Sequence, residues 1–299
     1  MAKKTLTRRD FIKTAAVTPL AGPLAAAGIG KGRAFVEDIE KSRVVLIRNL
    51  SVLDAGRKQK PEIVQRMLDE AMAALFGEKD AASAWRRIIK PSDTVGIKTN
   101  IWDYLPTGEA VERAIKSRVL EAGVPESRIG LNDRGVLSDP LFKAATVLIN
   151  ARPARTHSWS GMGSCLKNMI MFVPRPSAYH DDTCADLAKI WFLPVIKGKV
   201  KLNIQVMMTP LFNSAGSRDF SEKYIWPYQG LIVGQDPVAV DAVALRIIEA
   251  KRREFFGEAR PLKPPAHHIA YADARHHLGH SDPSRIELIK LGDSEGILI

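Results

Sequence analysis

From Arg43 to Leu291 the chain repeats one pattern: a short apolar run rich in β-branched residues, then a longer stretch with apolar side chains every three or four positions. The short runs predict strands at Arg43–Arg48, Thr94–Asn100, Arg128–Asn132, Thr146–Asn150, Val200–Met208, Gly230–Gly234 and Arg285–Leu291. Helices are expected at Pro61–Gly77, Ala81–Lys90, Thr107–Ala122, Asp182–Val195, from Asp236 to about Phe256, and at Ala266–Leu278. Pro61 and Asp236-Pro237 open two of them with a helix-starting residue, and Gly77 closes the first. Alternation of this kind predicts an α/β fold: a mainly parallel, Rossmann-like sheet with helices on both faces. No internal repeat or low-complexity tract interrupts it, and one domain over residues 35–299 is expected.

In such sheets ligands bind beyond the carboxyl ends of the strands. Lys98 and Asn100, Asn132 and Asp133, and Asn150 to Arg155 all fall at those ends. Lys98, Arg155 and Lys167 are therefore expected to hold a small anion, with Arg152 nearby, because guanidinium forks suit planar oxyanions. Asn100, Asn168 and Asp236 are further ligand-binding candidates. Asp241 lies in an apolar helical run, where a carboxylate needs a partner such as Lys98, Lys167 or a metal. Lys98, His157, Lys167 and Asp241 form the candidate catalytic set. Neither GxxxxGK[ST] nor GxGxxG is present, so a nucleotide-binding reading lacks its usual loop.

The densest collection of reactive groups is Ala154–Cys184, with two histidines and both cysteines of the chain. His180 and Cys184 are four apart, and on a helix they would share one face. With His157 and Cys165 they could bind zinc or another borderline-soft divalent metal. A Cys165–Cys184 disulfide is the alternative, and two unpaired core residues a third reading. Two cysteines cannot supply an ordinary four-cysteine iron–sulfur cluster. The five histidines within Ala266–His280 read as a solvated helix face.

The first 34 residues are of another kind. Lys3, Lys4, Arg8, Arg9 and Lys13 precede a weakly apolar, alanine-rich run ending in Ala25-Ala26-Ala27, a small-residue cleavage site. Thr7-Arg8-Arg9-Asp10-Phe11-Ile12-Lys13 resembles the twin-arginine (Tat) signal, which implies export by the Tat machinery to the periplasm or another extracytoplasmic space. Residues 1–27 hold five Lys/Arg and one Asp, so without them the formal net charge of +11 falls to +7. A moderate positive charge fits a small anionic ligand better than nucleic acid, which is not an expected partner. Nothing beyond residue 40 approaches the ~18 unbroken apolar residues of a membrane span.

Several blocks resemble, in order, the family known as domain of unknown function 362 (DUF362), in its twin-arginine-exported branch. They are Gly96-Ile97-Lys98-Thr99-Asn100, Leu148-Ile149-Asn150 through Thr156-His157, Gly161 to Asn168, and Asp236-Pro237-Val238-Ala239-Val240-Asp241-Ala242. Arg155 stands where the family usually has Lys, and Leu202–Met208 lacks the acidic residue of many members. The resemblance implies the fold and the site but no reaction. The expected function is an exported enzyme or enzyme-like protein acting on a small anion in a basic strand-end crevice, with metal assistance. The alternative is a non-catalytic metal- or ligand-binding accessory protein of a periplasmic redox system.

Overall fold

A computed structural model describes residues 41–214, 216 and 219–299, which lie in one compact unit, Ile39–Ile299. The expected signal peptide, residues 1–34, lies outside the described residues. Eight strands form one sheet: β1 (Ser42–Arg48), β2 (Val95–Lys98), β3 (Ile129–Asn132), β4 (Val147–His157), β5 (Gly161–Gly163), β6 (Val200–Leu211), β7 (Gly230–Gly234) and β8 (Ile286–Gly292). Their order is β3-β2-β4-β6-β7-β1-β8, with β5 folded back on the end of β4. Neighbours run parallel at β2–β3, β2–β4, β4–β6 and β1–β8. Strand β7 runs against both its neighbours, β1 and β6.

Side chains alternate between two cores. Val44 and Leu46 enter one apolar cluster, Val45 and Ile47 the other, which explains why the strands read as unbroken apolar runs. One face is covered by helices α1 (Pro61–Phe76), α2 (Ala81–Arg86) and α3 (Glu109–Glu121), where α1 alone buries Ile63, Val64, Met67, Leu68, Ala71, Met72 and Leu75. Each large apolar side chain of that set contributes about 1.5–3 kcal/mol of burial. The other face carries α4 (Pro140–Ala144), α5 (Cys165–Asn168), α6 (Pro237–Phe256) and α7 (His267–Ala274). Helix α6 starts where Asp236 accepts hydrogen bonds from Val238 N (2.8 Å) and Ala239 N (3.1 Å), and stops at Gly257, whose φ of 70° is left-handed.

Two expectations need correction. The helix expected over Asp182–Val195 forms only in part: Asp182, Thr183 and Cys184 have φ of 45°, 55° and 65°, and a 3-10 helix at Leu187–Phe192 follows. Asp and Thr compete with the helical ladder for backbone hydrogen bonds, and Asp tolerates the left-handed region. Strand β4 in turn extends seven residues beyond Asn150 and turns at Gly161, which has φ of 69°. A Cβ there would stand 2.4 Å from the carbonyl oxygen of Pro264, so only glycine fits.

The topology selects the place for a site. Strand β2 continues through α3 to β3 on one side, whereas β4 continues through β5 and α5 to β6 on the other. Chains leaving adjacent parallel strands in opposite directions open a crevice between β2 and β4 at their carboxyl ends.

Candidate functional site

The floor of this crevice is Lys98, the last residue of β2 and fully buried. Its ammonium group donates to Asp133 Oδ1 at 2.5 Å, to the carbonyl oxygen of Thr99 at 2.8 Å and to Asn168 Oδ1 at 3.2 Å. Three acceptors use all three N–H donors of a lysine. Burial still lowers Lys98 to about 8, against the pull of Asp133. Lys98 is therefore saturated beneath the crevice, with no N–H donor left over for the anion it is expected to hold. Its partner Asp133 also accepts from Ile101 N at 3.0 Å and lines the cavity above.

Buried amides wire this floor to the sheet. Asn203 Oδ1 accepts from Asn150 Nδ2 at 2.9 Å, and Asn150 Oδ1 accepts from Asn168 Nδ2 at 2.8 Å. Gln205 donates to the carbonyl oxygen of Arg152 at 2.7 Å and accepts from Cys165 N at 3.2 Å. Satisfied neutral networks of this kind fix side chains without adding charge.

The wall is basic. Strand alternation would send Arg152 and Arg155 to opposite faces, but the β4–β6 register shifts between Pro153 and Arg155. The irregularity re-aims the strand, and both guanidinium groups line one cavity of about 220 Å³. Arg152 is 4% exposed and Arg155 8%, and among the described residues neither side chain makes a hydrogen bond or ion pair. Arg155 lies over the Trp102 ring at 4.0 Å. Burial lowers both arginines, Arg155 to about 9 with Arg152 adding repulsion. Arg152 packs so closely on Gly163 that a Cβ there would stand 2.8 Å from Nη2.

Helix α5 brings Lys167 and Asn168 to the same cavity. Its start is held by Asp241, which accepts from Cys165 N and Leu166 N, each at 2.9 Å, and from the Ser164 hydroxyl. Burial raises Asp241 to about 7 although these donors oppose the shift. Asp241 thus meets neither Lys98 nor Lys167, and its place in the catalytic set becomes that of a residue positioning α5. Lys167 is 3% exposed, and its one side-chain hydrogen bond among the described residues goes to Cys184 Sγ at 3.6 Å. Burial lowers Lys167 to about 8, and Arg152 and Arg155 push the same way.

His157 and His180 stand at the mouth. His157 is held neutral by burial and by Lys167, Arg155 and Arg152. Its Nδ1 accepts from Trp159 N at 3.2 Å, which leaves the ring proton on Nε2 as a donor. His180 stacks on Trp159 at 4.2 Å, and burial lowers its pKa too.

The four expected metal ligands do not converge. Cys165 sits in the core at the start of α5, Cys184 lies on the left-handed turn against Lys167, and the two histidines line the mouth. Among the described residues no group of three or more His, Cys, Asp or Glu could hold a metal ion. Both cysteines are free and buried, so the alternative disulfide is not formed either. Burial pushes both thiols up.

Asp236 is also misplaced by its sequence reading. Because β7 runs backwards, its carboxyl end lies at the amino ends of its neighbours. There Asp236 accepts from Ser42 Oγ (2.5 Å) and His280 N (2.8 Å) besides capping α6. Asn100 does line the crevice, as expected. Sequence reasoning put Asp133 at a strand end without giving it a role, and left Trp102, Gln205 and Asn203 out of the site. The signal for the last two was a polar residue at alternate positions inside an apolar strand. Larger concavities exist, one of about 1000 Å³ between the 55–61 and 103–113 segments, but the unpaired buried cations gather in the 220 Å³ crevice.

Fold and site together define an α/β protein with a basic crevice at the switch point of its sheet. Residues 124–246 match the model of the family described as "Domain of unknown function (DUF362)". The matched segment runs from just before β3 into α6 and carries Asp133, Arg152, Arg155, His157, Lys167, Asn168 and Asp241, while Lys98 and Asn100 precede it. Neither the curated proteins nor the solved structures gave a match. No helix among the described residues is long and apolar enough to cross a membrane.

Proposed function

We propose that this protein binds a small molecule bearing a carboxylate or phosphate group in the β2–β4 crevice and acts on it as an enzyme, outside the cytoplasm. The observation that carries the proposal is the pair Arg152 and Arg155, almost fully buried and, among the described residues, without a counter-ion. An isolated buried charge costs several kcal/mol, so buried cations are normally paired. Here Asp133 is the one carboxylate among the lining residues, and it is already engaged by Lys98. An anionic ligand supplies the missing partner. A cavity of about 220 Å³ is smaller than the ~300–1,000 Å³ of pockets for drug-sized ligands, which favours a compact metabolite over a dinucleotide. The twin-arginine pattern at Thr7–Lys13 supports the extracytoplasmic setting.

Calorimetric titration with inorganic phosphate and with pyruvate tests the proposal. One of the two should bind with one-site stoichiometry, and Arg155→Gln should weaken it about 10- to 100-fold, the value of one charge-assisted hydrogen bond. Absence of binding for both probes to the folded wild-type protein would sink it.

A further inference from the structure

Lys167 lines the anion crevice together with the two arginines, and its setting allows more than charge pairing. Lys98 and Lys167 are both buried beside one cavity, yet their surroundings differ. Lys98 is saturated by three oxygen acceptors, one of them a carboxylate. Lys167 meets no carboxylate within ion-pair distance among the described residues, and its single contact is the Cys184 thiol at 3.6 Å. A lysine used as a structural cation is paired, whereas a desolvated amine beside other cations is the arrangement that makes lysine a nucleophile.

The groups around it specify what such an amine would attack. Arg152 and Arg155 offer unused guanidinium N–H donors, the geometry that suits a carboxylate. His157, with Nδ1 occupied by Trp159 N, has its proton on Nε2 and can donate to a substrate oxygen. Amine, carboxylate anchor and oxygen donor all line one cavity of about 220 Å³. A molecule that satisfies the three at once has a carbonyl next to a carboxylate.

We propose that Lys167 forms an imine with a 2-oxo acid whose carboxylate is held by Arg152 and Arg155. The inference rests on the anion-binding reading above. The amine lone pair attacks the carbonyl carbon, the C–N bond forms, and the carbonyl π pair moves to oxygen, which takes a proton. The carbinolamine then expels that oxygen as water while the nitrogen keeps one proton. The balance is Lys–NH3⁺ plus R–CO–COO⁻ giving Lys–NH⁺=C(R)–COO⁻ plus water, and no oxidant or reductant enters. The protonated imine withdraws electrons from C3, the carbon on the side away from the carboxylate, which suits proton exchange or aldol chemistry there.

The test is reductive trapping. The full chain is incubated with pyruvate, treated with borohydride and digested, and the modified peptide is identified by mass. One reduced adduct on Lys167, absent in Lys167→Arg and in a pyruvate-free control, is the expected result. Thermal melts establish that Lys167→Arg is folded, and Lys167→Met serves as a second variant. Calorimetry with pyruvate and with propionate, which lacks the carbonyl, is run alongside. Binding of both acids with no adduct overturns the imine and leaves the anion site standing. Adducts spread over surface lysines and undiminished in Lys167→Arg also overturn it. No binding of pyruvate, propionate or phosphate, with no adduct, overturns both readings.

Discussion

Replacing Arg152 by methionine should make the protein more stable while removing its ligand binding. The Arg152 guanidinium is 4% exposed and unpaired, and it lies in the field of Lys98, Arg155 and Lys167. Bringing such an ion out of water costs several kcal/mol even after relaxation. Attraction to Asp133 and Asp241 returns part of that cost. Methionine fills a similar volume and needs no partner, and exchanges of buried ions for apolar residues are commonly neutral or stabilising by about 1–4 kcal/mol. At about 2–4 °C per kcal/mol for a chain of this size, a gain in that range raises the melting temperature by roughly 2–16 °C. Arg152 also lowers Lys98, Arg155, His157 and Lys167, so its loss should raise each of them. The assay is a pair of thermal melts, with and without phosphate or pyruvate, on wild type and Arg152→Met. Ligand should stabilise the wild type and leave the variant unmoved. A variant destabilised by more than about 1 kcal/mol, or one that still binds, refutes the claim that Arg152 is an uncompensated cation kept for a ligand.

Asp133→Asn should act in the opposite sense, because it strands the Lys98 ammonium in the floor. Breaking one side of a buried pair costs about 3–5 kcal/mol, and a urea midpoint close to wild type would show that the pair does not support the fold. Asp241, raised from 3.8 to about 7, binds its proton more tightly in the folded than in the unfolded chain. Its contribution favours the folded state at the acid end of that window and is lost as pH rises through about 7, so Asp241→Asn should flatten this part of the stability–pH curve. Gly163→Ala places a Cβ 2.8 Å from Arg152 Nη2, the mobile end of a side chain. The variant should lose anion affinity with less than about 1 kcal/mol of stability, as equilibrium binding and denaturation together would reveal.

Much of this architecture is legible in residue order. Pro61 and Gly77 bracket α1, Asp236-Pro237 opens α6, and the alternation of β-branched runs with helical periods leads to a largely parallel sheet. The crevice is legible too, since Lys98, Asn100, Asp133 and Arg152 are polar residues where apolar runs end. Strand direction is not. Gly230–Gly234 reads the same whichever way it runs, and its reversal carries Asp236 to the far end of the sheet. The partners of Asp241 were hidden because two of them are backbone N–H groups on α5, which no side-chain pattern marks. The four expected ligands are separated by the placement of Cys165 in the core and by the turn at Asp182–Cys184. Once Asp182–Cys184 leave the helical region, spacing in sequence no longer implies a shared face.

The contrast between the two lysines decides how the crevice is to be read. A fold that needed only a basic residue at the end of β2 would gain by pairing every cation it buries. Instead Asp133, the one carboxylate among the cavity-lining residues, is committed to Lys98. Where a carboxylate could have neutralised the wall, the chain places the amides Asn150, Asn168 and Gln205, which satisfy one another and the backbone and carry no charge. Arg152, Arg155 and Lys167 therefore remain uncompensated by construction. A buried positive potential maintained this way is costly to the folded state and has no structural use. Its compensation comes only when an anion enters, and Lys167 stands beside that anion with an amine that no carboxylate among the described residues engages.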